Sequence, residues 1–394
     1  MLRLNDTIAR DPIRFYYAET VADCQRMYDH FIKRKMWALD TESTGLNVFR
    51  SEWRLRTFQF GNSRTSFVIP AEFDWYIHKI ITYPRMFWVA HNGPHDIRSL
   101  DAFLGVRTGV VCNGETHIPS HHLDSRNRRE GGIGHGLKDL AIALVDRDSG
   151  KWETALKAEF KNLTIEIPGE VYKSGPRKGQ QKVRKARYSE GWALINPTNP
   201  AYIAYAASDP VLTARVWKKL KPTVDTFSKL YDRDHRLQQA CDELTRRAMP
   251  LDVQYTRRLD AAYQTHAERM QAKATSFGCH NINSGMQIAT TLVGLGAPLT
   301  ALTPTGDPCT DNKILRKIMD STKNPNVKEF IHCVLSAKQV MKRRASYTQH
   351  FLSEMDANGR VHPSINILGA RTARMSVSNP PLQQLPTKDR EDDI

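Results

Sequence analysis

The chain has 394 residues, which suggests roughly two or three domains and ample buried core. Its net charge of +15 and its pI near 9.5 fit a protein that meets nucleic acid, or a solvated basic surface. Six scattered cysteines (24, 112, 241, 279, 309 and 333) form no C-x-x-C pair, which argues against a zinc ribbon or a disulfide framework and fits reduced thiols in a cytoplasm. Cys112 can be drawn with His117, His121 and His122 as a metal site, but the spacing matches no standard finger. The amino terminus, MLRLNDTIARDPIRF, lacks the apolar stretch of a signal peptide. No apolar run approaches the roughly 20 residues of a membrane span.

In chain order, Thr20 opens a helix with Val21, Cys24, Met27 and Phe31 at helical spacing. Met36–Leu39, Arg56–Phe60 and Ser66–Ile69 read as strands, the last two joined at Gly61-Asn62. Phe87–Ala90 reads as a buried strand, Ile97–Leu104 as a helix, Val110–Cys112 as a short strand and Gly136–Val145 as a helix. This alternation predicts a mixed α/β layered fold. An insertion at about 151–198 differs in composition. Its segment Lys173–Arg187 has seven Lys/Arg and no acid among Gly, Pro and Gln, so it reads as a mobile basic loop, either a phosphate-contacting flap or a solvated insertion. Asn199-Pro200 starts a helix that runs to about Leu220, with Pro210 expected to kink or break it. Helical patterns then dominate Val224–Ser276 and Thr310–Met355, separated by the link Gly294–Pro308.

Asp40-Thr41-Glu42 ends the first of these strands, and residues two apart on a strand share a face, so the two carboxylates converge. Paired carboxylates suit hard divalent cations. Taken alone, a D-x-E is equally an exposed strand end. Asn92-x-x-x-Asp96 follows the buried strand Phe87–Ala90, and Tyr205-x-x-x-Asp209 places a phenol and a carboxylate on one helix face. Each has a bland reading in isolation, a core aromatic or a surface charge.

As an ordered set, DTESTGL (40–46), HNGPHD (91–96) and YAASD (205–209), with HHLDS (121–125) and HGLKDLA (135–141) between them, resemble the 3′–5′ exonucleases of the DEDD superfamily, tyrosine subclass, in their family A DNA polymerase version. His95 stands where the family usually has an aromatic residue. The resemblance implies a ribonuclease H-like domain over residues 1–220 and two divalent metal ions, Mg²⁺ with Mn²⁺ able to substitute. It implies that Asp40 bridges the metals, that Glu42 and Asp209 complete the first site, and that Asp96 reaches the second. Tyr205 orients the attacking water with help from Glu42. Asn92 supports the strand end or contacts DNA.

Residues 221–394 resemble the helical thumb and palm entry of family A polymerases. The carriers are NINSGMQ (281–287), TPTGDPCTD (303–311) and GRVHPSINILGARTARMSVSNPPLQQLP (359–386). Asn283 and Ser284 then meet a phosphate at a helix start, although a serine there is equally a plain N-cap. Lys338, Lys342, Arg343 and Arg344 form a DNA-facing stripe or a solvated face. The resemblance implies that Arg374 contacts the primer–template once a palm completes the site, and it makes Gln383 and Gln384 candidates for contact with the duplex. Ala373 replaces the family's glycine, so the backbone there is expected to avoid any conformation closed to alanine.

No D-[YF]-S-Q-[IV]-E, K-x₃-N or H-D-E signature of a palm and fingers occurs. The expectation is therefore a phage-type polymerase portion without room for a 5′-nuclease domain. It would bind a single-stranded 3′ end and primer–template DNA, and would need a separate palm/fingers polypeptide for synthesis. The apolar surface around a hairpin-like Val361–Leu368 is expected to be open. The implied location is the cytoplasm, that of the host for a phage protein, with no membrane partner. The rival readings are a non-catalytic DNA-binding subunit and a ribonuclease D-type exoribonuclease, the latter opposed by the run Gly359–Pro386.

Overall fold

A computed structural model of the chain describes residues 1–172 and 174–385. Lys173 of the basic segment, and Pro386 with the residues after it, lie outside the described residues. The chain divides into two compact units, Met1–Arg246 with Ile365–Ser376, and Arg247–Ser364 with the residues from Val377.

The first unit opens with a hairpin that the sequence reading did not foresee. β1 (Leu2–Ile8) runs antiparallel to β2 (Asp11–Tyr17) through a turn at Ala9 and Arg10, whose φ angles are 50° and 64°. Both residues carry a left-handed turn that usually takes Asn or Gly, so the turn had no sequence signal. α1 (Val21–Phe31) begins with a capping box in which Thr20 and Asp23 each accept from the other's backbone N–H. Cys24, Met27 and Phe31 are buried as the spacing predicts, but Val21, at the first helical position, is exposed. β3 (Met36–Ser43), β4 (Leu55–Gly61) and β5 (Thr65–Pro70) form an antiparallel meander. α2 (Asp74–Ile81), β6 (Phe87–Ala90), α3 (Gly93–Leu104), β7 (Gly114–Glu115), α4 (His117–Leu123), α5 (Leu137–Leu144) and α6 (Lys151–Phe160) follow.

The seven strands lie in the order β1-β2-β5-β4-β3-β6-β7, with β2/β5, β3/β6 and β6/β7 parallel. One face packs through Trp37, Phe60 and Trp88 against α1–α3, with Phe31 of α1 among these rings. The other packs through Phe15 and Val68 against Leu140, Trp152 and Val211 of the helices behind. This mixed sheet covered by helices on both faces agrees with the expected ribonuclease H-like class. Val110–Cys112 is not a strand. The ladder forms instead at Gly114, where a Cβ would stand 3.1 Å from both Val89 and Trp217, so any larger residue would have to push these side chains back.

The basic segment is not an irregular loop. It lies within an antiparallel arm, β8 (Thr164–Val171) with β9 (Gln181–Lys185), and Gly175 and Gly179 take positive φ in its turn. Composition had masked the alternation of Ile165 and Ile167 with polar neighbours. After α7 (Tyr188–Leu194), α8 (Pro200–Thr226) runs unbroken through Pro210. The hydrogen bond lost at Pro210 is offset by burial, because the ring packs on the bare backbone of Gly61 in β4. α9 (Ser228–Arg247) ends the first long segment.

In the second unit the expected helical run breaks at Ala248 (φ 58°), and β10 (Met249–Pro250) precedes α10 (Val253–Ser276). α11 (Gly285–Gly294), α12 (Asn312–Ser321), α13 (Pro325–Arg343) and α14 (Gln349–Glu354) complete a mainly helical body around Met270, Ile288, Leu315, Phe330 and Val334. β11 (Arg360–Val361) pairs with β10, so Val361–Leu368 is not a hairpin. Two further short strands follow, β12 (Ser364–Asn366) and β13 (Ser376–Ser378). Nor is that surface open. Val361 is buried in the second unit, and Ile367 and Leu368 are buried with Trp217 and Tyr231 in the first.

A Cβ on Gly61 would stand 2.9 Å from Pro210 and 3.0 Å from Ser66. Gly61→Val should therefore lower stability by about 1–3 kcal/mol in urea unfolding. An unchanged midpoint would show that α8 is not seated on this glycine.

Candidate active site

The site lies at the end of the central strand. Asp40 and Glu42 project from one face of β3, and the strand's pairing with β4 shifts register just beyond, between Glu42 and Ser43. Asp209 comes from the buried middle of α8. Ligand oxygens of Asp40, Glu42 and Asp209 lie within 4.8 Å of one another, and among the described residues this is the one group of His, Cys, Asp or Glu side chains that converges so. Asp96, in the first turn of α3, is buried beside them and accepts a 2.7 Å hydrogen bond from Thr41 Oγ1, the residue between the two strand carboxylates. Beneath the strand pair, Gln59 donates to Thr57, whose hydroxyl meets Tyr202 at 3.1 Å.

Burial dominates the electrostatics. It pushes the Asp40 carboxyl up to about 7 against the pull of Lys138, and raises Glu42 and Asp96 well above the usual carboxylate range, with Asp40 adding repulsion to both. Lys138 is the functional residue that the sequence reading passed over. It sits inside the HGLKDLA segment, on α5, and its buried ammonium pairs with Asp209 and lies 4.5 Å from the centre of the Tyr205 ring. Burial lowers Lys138 to about 8, while Asp40 and Glu42 oppose that shift. Burial raises the Tyr205 phenol well above its ordinary value, and the charges of Glu42 and Asp40 add to that shift.

Glu115 is the second residue missed. Its buried carboxylate accepts from the backbone N–H of Asn92 (2.7 Å), Gly93 (2.8 Å) and His117 (3.0 Å). It thereby satisfies free donors at the start of α3, the helix that carries Asp96. Asn92 itself is exposed with φ 64°, a conformation that asparagine tolerates well. His95 is held down at about 4 by burial. The Cys112 and histidine grouping does not form a metal cluster. Cys112 packs beneath Gly93, His122 pairs with Asp234 at 2.8 Å, and His121 meets the Ala370 carbonyl at 3.1 Å.

The residues present fit divalent metal ions. Asp40 Oδ2 is buried and accepts no hydrogen bond, Asp40, Glu42 and Asp209 converge with Asp96 close enough to feel the Asp40 charge, and the Lys138 ammonium pairs with Asp209. An all-oxygen, anionic donor set of this kind suits hard cations such as Mg²⁺ or Mn²⁺.

The candidates in the second unit are dispersed. Ser284 caps α11, accepting from Gln287 N at 3.3 Å, and Asn283 is exposed before it. Lys338 is half-buried, facing Asp311 and Cys279, and its pKa is lowered by burial. Arg344 forms a two-pronged pair with Asp260 at 3.0 and 3.2 Å, Arg343 reaches Tyr263, and Lys342 is exposed. Gln383 accepts from Val377 N, and the Gln384 carbonyl accepts from Tyr347 at 2.5 Å. Arg374 is exposed in the first unit. The preceding Ala373 has φ 56°, which corrects the expectation drawn from the missing glycine: the chain adopts the left-handed turn with alanine in place.

Two family profiles match the chain, 3'-5' exonuclease over residues 18–225 and DNA polymerase family A over residues 253–393. The chain belongs to the family A DNA polymerases with a 3′–5′ exonuclease domain. It is 29% identical over 400 residues to the DNA polymerase of Mycobacterium phage L5, and 27% identical over 401 residues to that of Mycobacterium phage D29. Each alignment covers 99% of this chain and 62% of the phage protein, so the chain spans about three fifths of those relatives' length. DNA polymerase I of Pseudomonas aeruginosa is 21% identical, over 97% of this chain and 40% of its own length. The fold is similar to the POL domain of Pol1 from M. smegmatis in complex with DNA primer-template and dNTP, with a TM-score of 0.60, 14% identity, and coverage of 95% of this chain and 56% of that one. Among the described residues no helix is long and apolar enough to cross a membrane.

Asp40, Glu42 and Asp96 have folded pKa values raised above the unfolded ones. The stability that protonation of Asp40 contributes is therefore fully present below about pH 4 and is lost as pH rises through about 7, and Glu42 and Asp96 act in the same direction. A divalent cation displaces those protons. The gain in melting temperature from Mg²⁺ over EDTA should consequently widen from pH 6 to pH 8, and a gain independent of pH would contradict the buried carboxylate assignment. Lys138→Met should lower stability in EDTA by about 3 kcal/mol, since it leaves an uncompensated buried charge, and Mg²⁺ should recover most of the loss. Equal losses with and without Mg²⁺ would show that Lys138 does not serve the carboxylate cluster.

Proposed function

We propose that the first unit is a two-metal 3′–5′ exodeoxyribonuclease that removes mispaired nucleotides, and that the second is a DNA-binding thumb. The observation that carries this reading is the convergence of Asp40, Glu42 and Asp209, with Asp96 alongside, at the end of the central strand. Asp40, Glu42 and Asp209 would hold one divalent ion, and Asp40 with Asp96 a second. Bound there, such ions supply a nucleophilic water at neutral pH and neutralise the leaving oxygen.

The chain's own groups do the rest. Tyr205 orients the attacking water by hydrogen bonding, and Glu42, whose charge acts on the Tyr205 phenol, helps to hold that water. Lys138 holds Asp209 and lies over the Tyr205 ring, so the water-orienting phenol and a metal-holding carboxylate share one anchor. The substrate is DNA with a single-stranded 3′ end. The basic balance of the chain, and the resemblance of the second unit to polymerase thumbs, support primer–template binding there. Ser284, Lys342 and Gln384 are the contacts we favour in that unit. Nucleotide addition is assigned to neither unit, since synthesis requires a palm with its own metal-binding carboxylates.

With Mg²⁺ or Mn²⁺ the chain should shorten single-stranded DNA from its 3′ end. Asp40→Ala or Asp209→Ala should reduce this to background with the fold intact, and Tyr205→Phe should reduce it by about 10²-fold. Wild-type rates in either aspartate variant would sink the two-metal reading. Preference for RNA over matched DNA single strands would favour the exoribonuclease alternative.

A further inference from the structure

The arm of β8 and β9 lies outside the carboxylate chemistry, yet it leads directly into the wall of the site. Its described residues carry Arg177, Lys178, Lys182, Arg184, Lys185 and Arg187 against Glu166 and Glu170. Lys182 is paired with Glu170 and Arg184 with Glu190. Among the described residues no ion pair forms at Arg177, Lys178 or Lys185, and all three are exposed. At the arm's base, α7 seats its Gly191 on Phe160, where a Cβ would stand 2.6 Å from the ring. That seat fixes a run of aromatic rings leading to the site. Tyr188 is 48% exposed and lies 6.2 Å from Trp192, and Trp192 lies 5.5 Å from Tyr205. Arg56 holds the far end of the same segment by donating to the Trp192 and Ile195 carbonyls.

Single-stranded nucleic acid is bound where an exposed aromatic face takes unpaired bases and nearby cations follow the backbone. A site built of four carboxylates repels phosphates, so a strand that reaches it gains from cations placed just outside. We propose that the arm, through Arg177, Lys178 and Lys185, and the Tyr188 ring form a guide that binds the single strand upstream of the nucleotide held at the carboxylates. The assignment rests on the exonuclease reading above and extends it to the substrate beyond the scissile nucleotide.

The test compares the full chain with the Arg177→Ala/Lys178→Ala/Lys185→Ala variant and with Tyr188→Ala. Binding of a fluorescent single strand of about 20 nucleotides is measured over a salt series, with EDTA present. The triple variant should bind about tenfold more weakly, and its log–log salt slope should fall by about 2, from three phosphate contacts at about 0.7 each. Tyr188→Ala should weaken binding about tenfold and leave the slope unchanged. Hydrolysis of a dinucleotide, which leaves almost no strand beyond the scissile bond for the arm to hold, should differ far less between the full chain and the triple variant than binding of the long strand does. An unchanged slope in the triple variant would overturn the guide, as would an equal loss for a blunt duplex. Failure of the unaltered chain to cleave the dinucleotide would instead remove the exonuclease reading, since the binding comparison does not depend on hydrolysis.

Discussion

The mutual repulsion of four carboxylates is the constraint on which the first unit depends. Two unit charges about 4 Å apart interact by about 4 kcal/mol at an effective dielectric of 20, and Asp40, Glu42 and Asp209 crowd within 4.8 Å with Asp96 beside them. Lys138 and the Thr41 hydroxyl offset part of that repulsion, and the backbone imposes the rest of the arrangement. Asp40 and Glu42 are fixed by a strand paired on both sides, with β4 and β6. Asp209 is fixed by the most deeply buried helix of the unit, which is pressed onto Gly61. Asp96 is fixed by α3, whose free N–H groups close on Glu115. Each carboxylate is thus carried by an element with its own independent reason to be where it is.

That independence explains what was legible in the sequence. Asp40 and Glu42 could be placed on one face because a strand's period is two, and Tyr205 with Asp209 because a helix brings i and i+4 together; both are local geometry. The convergence of the three segments was read from their order and from resemblance. Lys138 and Glu115 could not be read locally. A lysine on a short helix ordinarily snorkels to solvent, and a glutamate ahead of a histidine-rich helix ordinarily stays wet. Their burial is dictated by partners 71 residues away in one case and about 23 in the other, which no local pattern reveals.

Where local rules were applied too literally, the structure departs from them. Pro210 was expected to disturb α8, yet the helix is held by packing along its whole length. Ala373 was expected to avoid a left-handed turn, yet it takes one, at a cost of order 1–2 kcal/mol that the surrounding turn must offset. The basic run on α13 shows the opposite lesson. At 100° per residue, Lys338 and Lys342 lie about 40° apart around the axis, whereas Arg343 ends α13 about 100° beyond Lys342 and Arg344 opens the wider π-helical turn Arg344–Thr348. The pairing of Arg344 with Asp260, inside the helical body, follows from that rotation. Four cations close in sequence were never one stripe.

The same rotation argument separates the arm from the helix as a place for phosphate contacts. On a two-stranded arm, cations at the turn are free of the 3.6-residue period and have few acidic neighbours to pair with. Arg177 and Lys178 sit in that turn, and Lys185 is exposed at the end of β9. On α13, a cation that rotates toward the protein finds a carboxylate or a phenol and is neutralised or occupied there. Charge that must remain available to a polyanion is therefore better carried on an arm than along a packed helix. The Tyr188, Trp192 and Tyr205 rings run from the base of that arm to the carboxylate site.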